Sequence, residues 1–206
     1  PTWSTASEYG RTPAVGVPDD AYLAQASKSG LTRFERVVDA LTTAGYEVER
    51  VTAMDDIAEI NERHETLISG EAADVHHDRY EAHSDLFREE TAALVERGRD
   101  VTAEELAVGR RSRGALRDRL HDRMAAAGVD VWVAPGACDT APEGIDSTGD
   151  PVMNLPWTHA GLPTVALPAG RADGLPYGVQ FASAFGTDER LLAWGERLAD
   201  TVADAV

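Results

Sequence analysis

Short apolar runs alternate along this chain with longer stretches of helical period. Ala14–Val17 is unbroken and apolar, as a short buried strand should be. Leu31–Ala44 then carries Phe34, Val37, Val38 and Leu41, an i, i+3, i+4, i+7 stripe that Gly45 ends. Tyr46–Val51 (YEVERV) alternates polar and apolar residues at period two, which predicts a half-exposed strand. A strand, a helix and a strand of these lengths predict a parallel pair joined by a right-handed crossover. From Asp55 to about Arg97 the pattern becomes helical and charged, and Asp56 with Glu59 fits a helix start. Thr102-Ala-Glu-Glu105 matches a capping box, and the helix after it carries Leu106, Leu116, Leu120 and Met124 until Gly128 stops it. Val129–Ala134 is nearly all apolar, as a central parallel strand buried on both faces would be. Ala137–Gly149 reads as a loop.

The most informative stretch is Pro151–Leu192. It predicts two short apolar strands, Thr164–Leu167 and Tyr177–Phe181, and a helix opening at Asp188. Pro163 and Pro168 are expected to bracket the first strand, because proline cannot donate to a ladder. Asn154, Gly161-Leu-Pro163, Val165, Pro168-Ala-Gly170, Gly174-Leu-Pro176, Gly178-Val-Gln180 and Asp188 followed by Leu191-Leu192 occur here in one order and spacing. On these residues the segment resembles the C-terminal part of the amidase signature family. Thr12–Pro18, the helix after it and Tyr46–Val51 resemble the strand–helix–strand that follows the signature in the same family, and Val129–Pro135 resembles a later core strand, so that the likeness extends over the whole chain. The resemblance implies an α/β fold, a mixed, largely parallel sheet covered by helices. It implies one portion of an amidase domain over residues 1–206: strand–helix–strand over 1–54, a helical cover over 55–128, core strands and a terminal helix over 129–206.

The family hydrolyses carbon–nitrogen bonds of amides with two serines and a lysine, beside a Gly/Ser-rich loop that holds the oxyanion. A serine needs a base to become nucleophilic, and the oxyanion needs preorganised donors. No Gly-Gly-Ser-Ser-Gly-type run occurs in this sequence, and it opens at Pro1 with Thr2-Trp3-Ser4 rather than a methionine. The expectation is therefore a C-terminal half without the catalytic signature, and no residue is assigned a catalytic role. Ser27-Lys28-Ser29-Gly30 holds the only lysine, but adjacent side chains diverge and no oxyanion loop is near. A polar loop into the helix at Leu31, capped by Ser29, is the expected structure.

By the same resemblance, the loop after Val129–Pro135 and the Met153–His159 turn border the amide pocket. Asn154, Trp157, Thr158 and His159 are the expected substrate-lining residues, Trp157 as a flat wall and Asn154 as a substrate partner or a pin for the turn. His159 is not expected to act as a general base. His64, His76, His77 and His83 invite a metal reading, but no His-Glu-x-x-His pattern occurs, and exposed or interface histidines are expected instead. Arg110, Arg111, Arg113, Arg117, Arg119 and Arg123 form the one basic cluster. Their alternation with Asp118 and Asp122 predicts surface ion pairs. No metal and no cofactor are implied.

Charge narrows the partners. The 206 residues carry 36 acidic and 19 basic side chains, a net −17, which disfavours nucleic acid and anionic membranes. Every basic residue but Lys28 is arginine; both a high-salt cell, which screens self-repulsion, and a GC-rich genome would produce that bias. The single Cys138 fits a reducing cytoplasm and a small buried hydrophobe. The partners expected are a small-molecule amide in the complete enzyme, and either the signature-bearing half or a second copy at the exposed edge of the half-sheet. The alternative is a non-catalytic amidase-like scaffold or partner subunit. An in-frame Gly/Ser-rich segment with a lysine upstream of Pro1 would favour the enzyme, and a stop codon the scaffold.

Overall fold

The computed structural model describes residues 10–172 and 174–206; the Pro1–Ser4 opening lies outside the described residues. Five strands form one sheet: β1 (Val15–Pro18), β2 (Val48–Val51), β3 (Val131–Pro135), β4 (Thr164–Ala172) and β5 (Leu175–Ser183), in the order β2-β1-β3-β5-β4. β1 pairs in parallel with β2 and β3, whereas β5 pairs antiparallel with both β3 and β4. Only β5 runs against the other four, so the sheet is mixed and mostly parallel. Val131, Trp132, Val133, Val179 and Phe181 are fully buried at its centre.

The helices are α1 (Lys28–Thr43), α2 (Ile57–His83), α3 (Glu89–Arg99), α4 (Ala103–Ala127), α5 (Leu155–Ala160) and α6 (Asp188–Val202). The α1 stripe of Phe34, Val37, Val38 and Leu41 is buried, and α1 packs on the sheet and on α6. α2, α4 and α5 pack on one another as a second group. The Thr102 capping box is formed: Glu105 N donates to Thr102 Oγ1 at 3.2 Å, and Thr102 N donates to Glu105 Oε2 at 2.8 Å. Gly128 closes α4 in the left-handed conformation, φ 68°.

Several local expectations are corrected. The cap of α1 is Ser27, not Ser29: Ser27 Oγ accepts from Gly30 N at 2.8 Å and the helix starts at Lys28, three residues early. The 55–97 stretch is two helices, broken by a 3-10 turn at Ser84–Leu86. Asp56 precedes α2 but makes no side-chain cap; its carboxylate takes both Arg119 Nη atoms at 2.8 Å. Pro168 does not end β4. The strand continues to Ala172 through a register shift between Pro168 and Arg171, which an outermost strand tolerates. β4 and β5 thereby form one long hairpin. Val206 lies across the outer side of β4, its N donating to Ala169 O at 2.9 Å and its O accepting from Arg171 N at 3.3 Å.

Candidate functional site

Beyond the carboxyl end of β3 the chain enters a loop that lines a cleft of about 470 Å³, with Gly136, Cys138, Thr140, Pro142, Asp150 and Pro176 among its walls. Carboxyl ends of strands are where open α/β sheets hold ligands. The loop is fixed through Asp139. Its carboxylate accepts from Ser27 Oγ at 2.5 Å, Thr140 N at 2.9 Å, Ser29 Oγ and the Arg33 guanidinium. Burial raises the Asp139 pKa, but these donors outweigh it and hold the carboxyl below its usual range. Ser27 N donates to Cys138 O at 3.0 Å, and Tyr177 Oη donates to Gly30 O at 3.0 Å. A side chain at Gly30 would run into the Cys138 carbonyl, so the helix start can approach only as glycine. The Ser27-Lys28-Ser29 run is thus a clamp on the loop, with Lys28 exposed.

A second, buried network fixes the segment from Pro151 to Ala160. Tyr22 Oη donates to Met153 O at 2.7 Å and accepts from Trp157 Nε1 at 2.9 Å. Gln180 Nε2 donates to Pro135 O at 2.8 Å and to Met153 O at 2.7 Å, joining the end of β3 to this segment. Burial pushes the Tyr22 phenol far above its ordinary pKa, so it stays a neutral donor.

The four residues expected to line the pocket lie on different sides of α5. Asn154 is exposed beside the cleft loop, its Nδ2 3.4 Å from Gly136 O. Trp157 is buried edge-on against Tyr22, with ring centroids 5.5 Å apart. Thr158 is exposed. His159 points away from the cleft loop into the packing with α2 and α4, with 2% of its surface exposed. Its Nε2 is 2.7 Å from Ser112 Oγ and its Nδ1 3.4 Å from His64 Nδ1. A second cavity, of about 220 Å³, adjoins it between Asp56, Arg63, Ser112 and Arg119.

Sequence reasoning missed Ser112, Asp139, Gln180 and the burial of His64. Two of these carried a usable pattern. His64 continues the Ile57, Ile60, Leu67 stripe of α2, and Gln180 is the polar member of a buried strand. Of the α4 arginines, Arg110 and Arg119 form ion pairs as expected, though with carboxylates outside their own helix, whereas Arg113 and Arg117 reach backbone carbonyls instead. Arg110 pairs with Glu71 at 3.2 Å, while Arg113 Nε and Arg117 Nε donate to His159 O at 3.3 Å and Ala160 O at 2.7 Å. Those carbonyls belong to the last turn of α5 and lack helical partners, which is why cations gather there.

Chemically the cleft presents one thiol, two carboxylates and the hydroxyls of Thr140 and Thr148. Burial first, then Asp150 and Asp139, push the Cys138 thiol up, so it remains a weakly nucleophilic thiol at neutral pH. Among the described residues no three His, Cys, Asp or Glu side chains are placed to hold a metal ion, and no helix is long and apolar enough to cross a membrane.

Against known proteins, a family model described as Amidase matches residues 3–192. The A chain of the mitochondrial glutamyl-tRNA(Gln) amidotransferase of Mycosarcoma maydis is 43% identical over 83 residues, covering 34% of this chain and 15% of that protein. Its counterpart in Tuber melanosporum is 28% identical over 85 residues, covering 37% and 17%. A crystal structure of an amidase superposes with a TM-score of 0.79 at 26% identity, over 91% of this chain and 46% of that one. A 6-aminohexanoate cyclic dimer hydrolase with bound substrate shares the fold at a TM-score of 0.75 and 17% identity, over 100% and 49%. The chain spans about half the length of these two solved proteins.

Proposed function

Because this chain belongs to the amidase family, we propose that residues 1–206 form the substrate-holding wall of an amide C–N hydrolase, acting with a signature-bearing segment outside these residues. The observation that carries this reading is the cleft at the carboxyl end of β3. It is walled by a loop clamped on both sides, yet offers no serine–base pair and no Gly/Ser-rich oxyanion loop. Hydrolysis through a serine nucleophile needs an activating base and preorganised oxyanion donors. The chain alone therefore binds a small amide and does not cleave it.

In this reading the Cys138–Thr140 loop and Asn154 face the amide. Trp157, Gln180 and Tyr22 act behind them by holding Met153 and Pro135 in place. The missing serines and lysine would approach from the open side of the cleft. The associating surface is a signature-bearing segment or a second copy, and the compartment proposed is the cytoplasm. The scaffold alternative keeps the same wall with no signature segment in its partner.

The test is an amide-proton NMR titration of the purified chain with benzamide and with propionamide, alongside an ammonia-release assay. Shifts confined to 136–142, 148–150, 154, 166 and 176–178, with no ammonia, are expected. Ammonia released by the chain alone would place the catalytic groups within it, and shifts elsewhere would remove the wall.

A further inference from the structure

The contact between His159, Ser112 and His64 is not used by the cleft, and one placement of its hydrogens gives every facing donor an acceptor. Ser112 has one hydroxyl proton. Its Oγ donates to Gly109 O at 2.8 Å, the back-bond of a serine inside a helix. With the proton placed there, Ser112 accepts from His159 Nε2, 2.7 Å away. His159 therefore carries its proton on Nε2, and its Nδ1 is a bare lone pair. That lone pair faces His64 Nδ1 at 3.4 Å, which serves as donor. The rings meet edge to face, 5.5 Å between centroids.

A metal ion could also draw two lone pairs together, but the surroundings oppose it. Arg63 on α2 and Arg113 on α4 raise the local potential around His159, and Arg119 lines the adjoining cavity opposite Asp56. Glu65 is the acidic neighbour acting on His64, where Arg113 also acts. A dication beside these guanidiniums, with two imidazoles as its protein ligands, lacks the donor set it needs. A proton is unwelcome for the same reason. On His159 the vacant position is Nδ1, and a proton there would set N–H against N–H and add a buried charge.

We propose that Ser112, His159 and His64 form an acid-released latch, which fastens α5 to α2 and α4 and lets it go while the sheet remains folded. α5 is short, and its other fastenings are the two arginines on its last carbonyls, the Tyr22–Trp157 bond and the burial of Pro156, Trp157 and Ala160. Its first turn follows Asn154, so release also loosens the edge of the cleft at Gly136. Burial, followed by His64, Arg113 and Arg63, pushes His159 down to about 4; burial, with Arg113, lowers His64 against Glu65. Both values lie below the ordinary histidine value of about 6.5. The opened state thus binds more protons between them. The latch is at full strength above pH of about 6.5 and weakens by about tenfold in closed-to-open ratio per pH unit per histidine below it. The His159 contribution levels off once pH passes below about 4.

The latch is read on the folded chain itself and is independent of the catalytic reading. Long-range proton–nitrogen NMR of the labelled chain, from pH 8 to 4.5, reads each imidazole, and hydrogen exchange reads each helix. The expected result is a neutral, Nε2-protonated His159 down to about pH 5 in molecules still closed. With exchange corrected for its intrinsic pH dependence, amides 155 and 157–160 lose protection below pH 6.5 by about tenfold per pH unit for each histidine held neutral, while those of β1 and β3 keep theirs. His159→Gln retains a donor toward Ser112 but cannot take up a proton, so exchange in α5 should lose the roughly tenfold per pH unit that His159 contributes. If that variant does not fold, the wild-type titration still decides. A His159 that titrates between pH 6 and 7, or protection lost from sheet and α5 together, would overturn the latch.

Discussion

Removing one oxygen atom, in Tyr22→Phe, tests the buried network behind the cleft. The phenol accepts from Trp157 Nε1 at 2.9 Å and donates to Met153 O at 2.7 Å. Met153 O keeps its bond from Gln180 Nε2, whereas the indole N–H is left buried without a partner. The ring itself stays, so edge-to-face packing on Trp157 is retained. An orphaned buried donor costs about 1–3 kcal/mol, and the expected loss is about 2 kcal/mol. For a domain of this size that is a drop in Tm of about 4–8 °C. Trp157→Phe removes the donor and leaves a cavity, and its own cost is larger. In the double variant the orphan penalty vanishes, so the two changes should be less than additive by about 1 kcal/mol. Urea unfolding measures all four corners of the cycle, with an unchanged m-value as the check that the unfolded state is the same. Additive losses, or a Tyr22→Phe cost within about 0.3 kcal/mol, would refute the network as a fastening of α5.

Two further predictions concern charge. Asp139→Asn removes the hub that Ser27, Ser29, Arg33 and Thr140 share, and should lower stability at pH 7 by about 1–3 kcal/mol. The folded pKa of Asp139 is depressed, so the wild-type advantage is complete above pH of about 4–5 and disappears as pH falls through the folded value; a loss in the variant that persists unchanged at pH 2 would show the carboxylate is not the cause. The net charge of −17 predicts that Tm rises from low salt to molar KCl, because screening relieves self-repulsion. Differential scanning calorimetry that finds a flat response would remove the high-salt reading and leave genome composition to explain the arginines.

What can be read from the sequence is local. The Thr102–Glu105 capping box spans one turn, and the α1 stripe is a period within one helix, so both are visible without tertiary knowledge. The Gly/Pro-rich motifs near the C-terminus identify the family because their order is preserved even where their roles are structural. What stays hidden is made by distant pairs. Ser27 meets Asp139 across 112 positions, and His64 meets His159 across 95. Pro168 misleads for a related reason. A proline ends a strand in the middle of a sheet, but it is tolerated on the outermost one, and strand order is not written in the local pattern. The cap of α1 goes to Ser27 over Ser29 because the helix already starts at Lys28, where Ser27 is extended and its Oγ accepts from Gly30 N, while Asp139 on the far loop engages both hydroxyls.

The sheet has two unlike borders. At β4 a proline, a register shift and the crossing backbone of Val206 leave little for another strand to pair with, whereas among the described residues nothing hydrogen-bonds to the outer side of β2. Open-ended polymerisation through strand pairing needs a receptive border on each side of every unit. A sheet receptive on one side only is used up by its first encounter: two copies joined through β2 would present nothing but β4 to a third. With β4 blocked, the described residues leave strand pairing no second border through which to grow into a fibre.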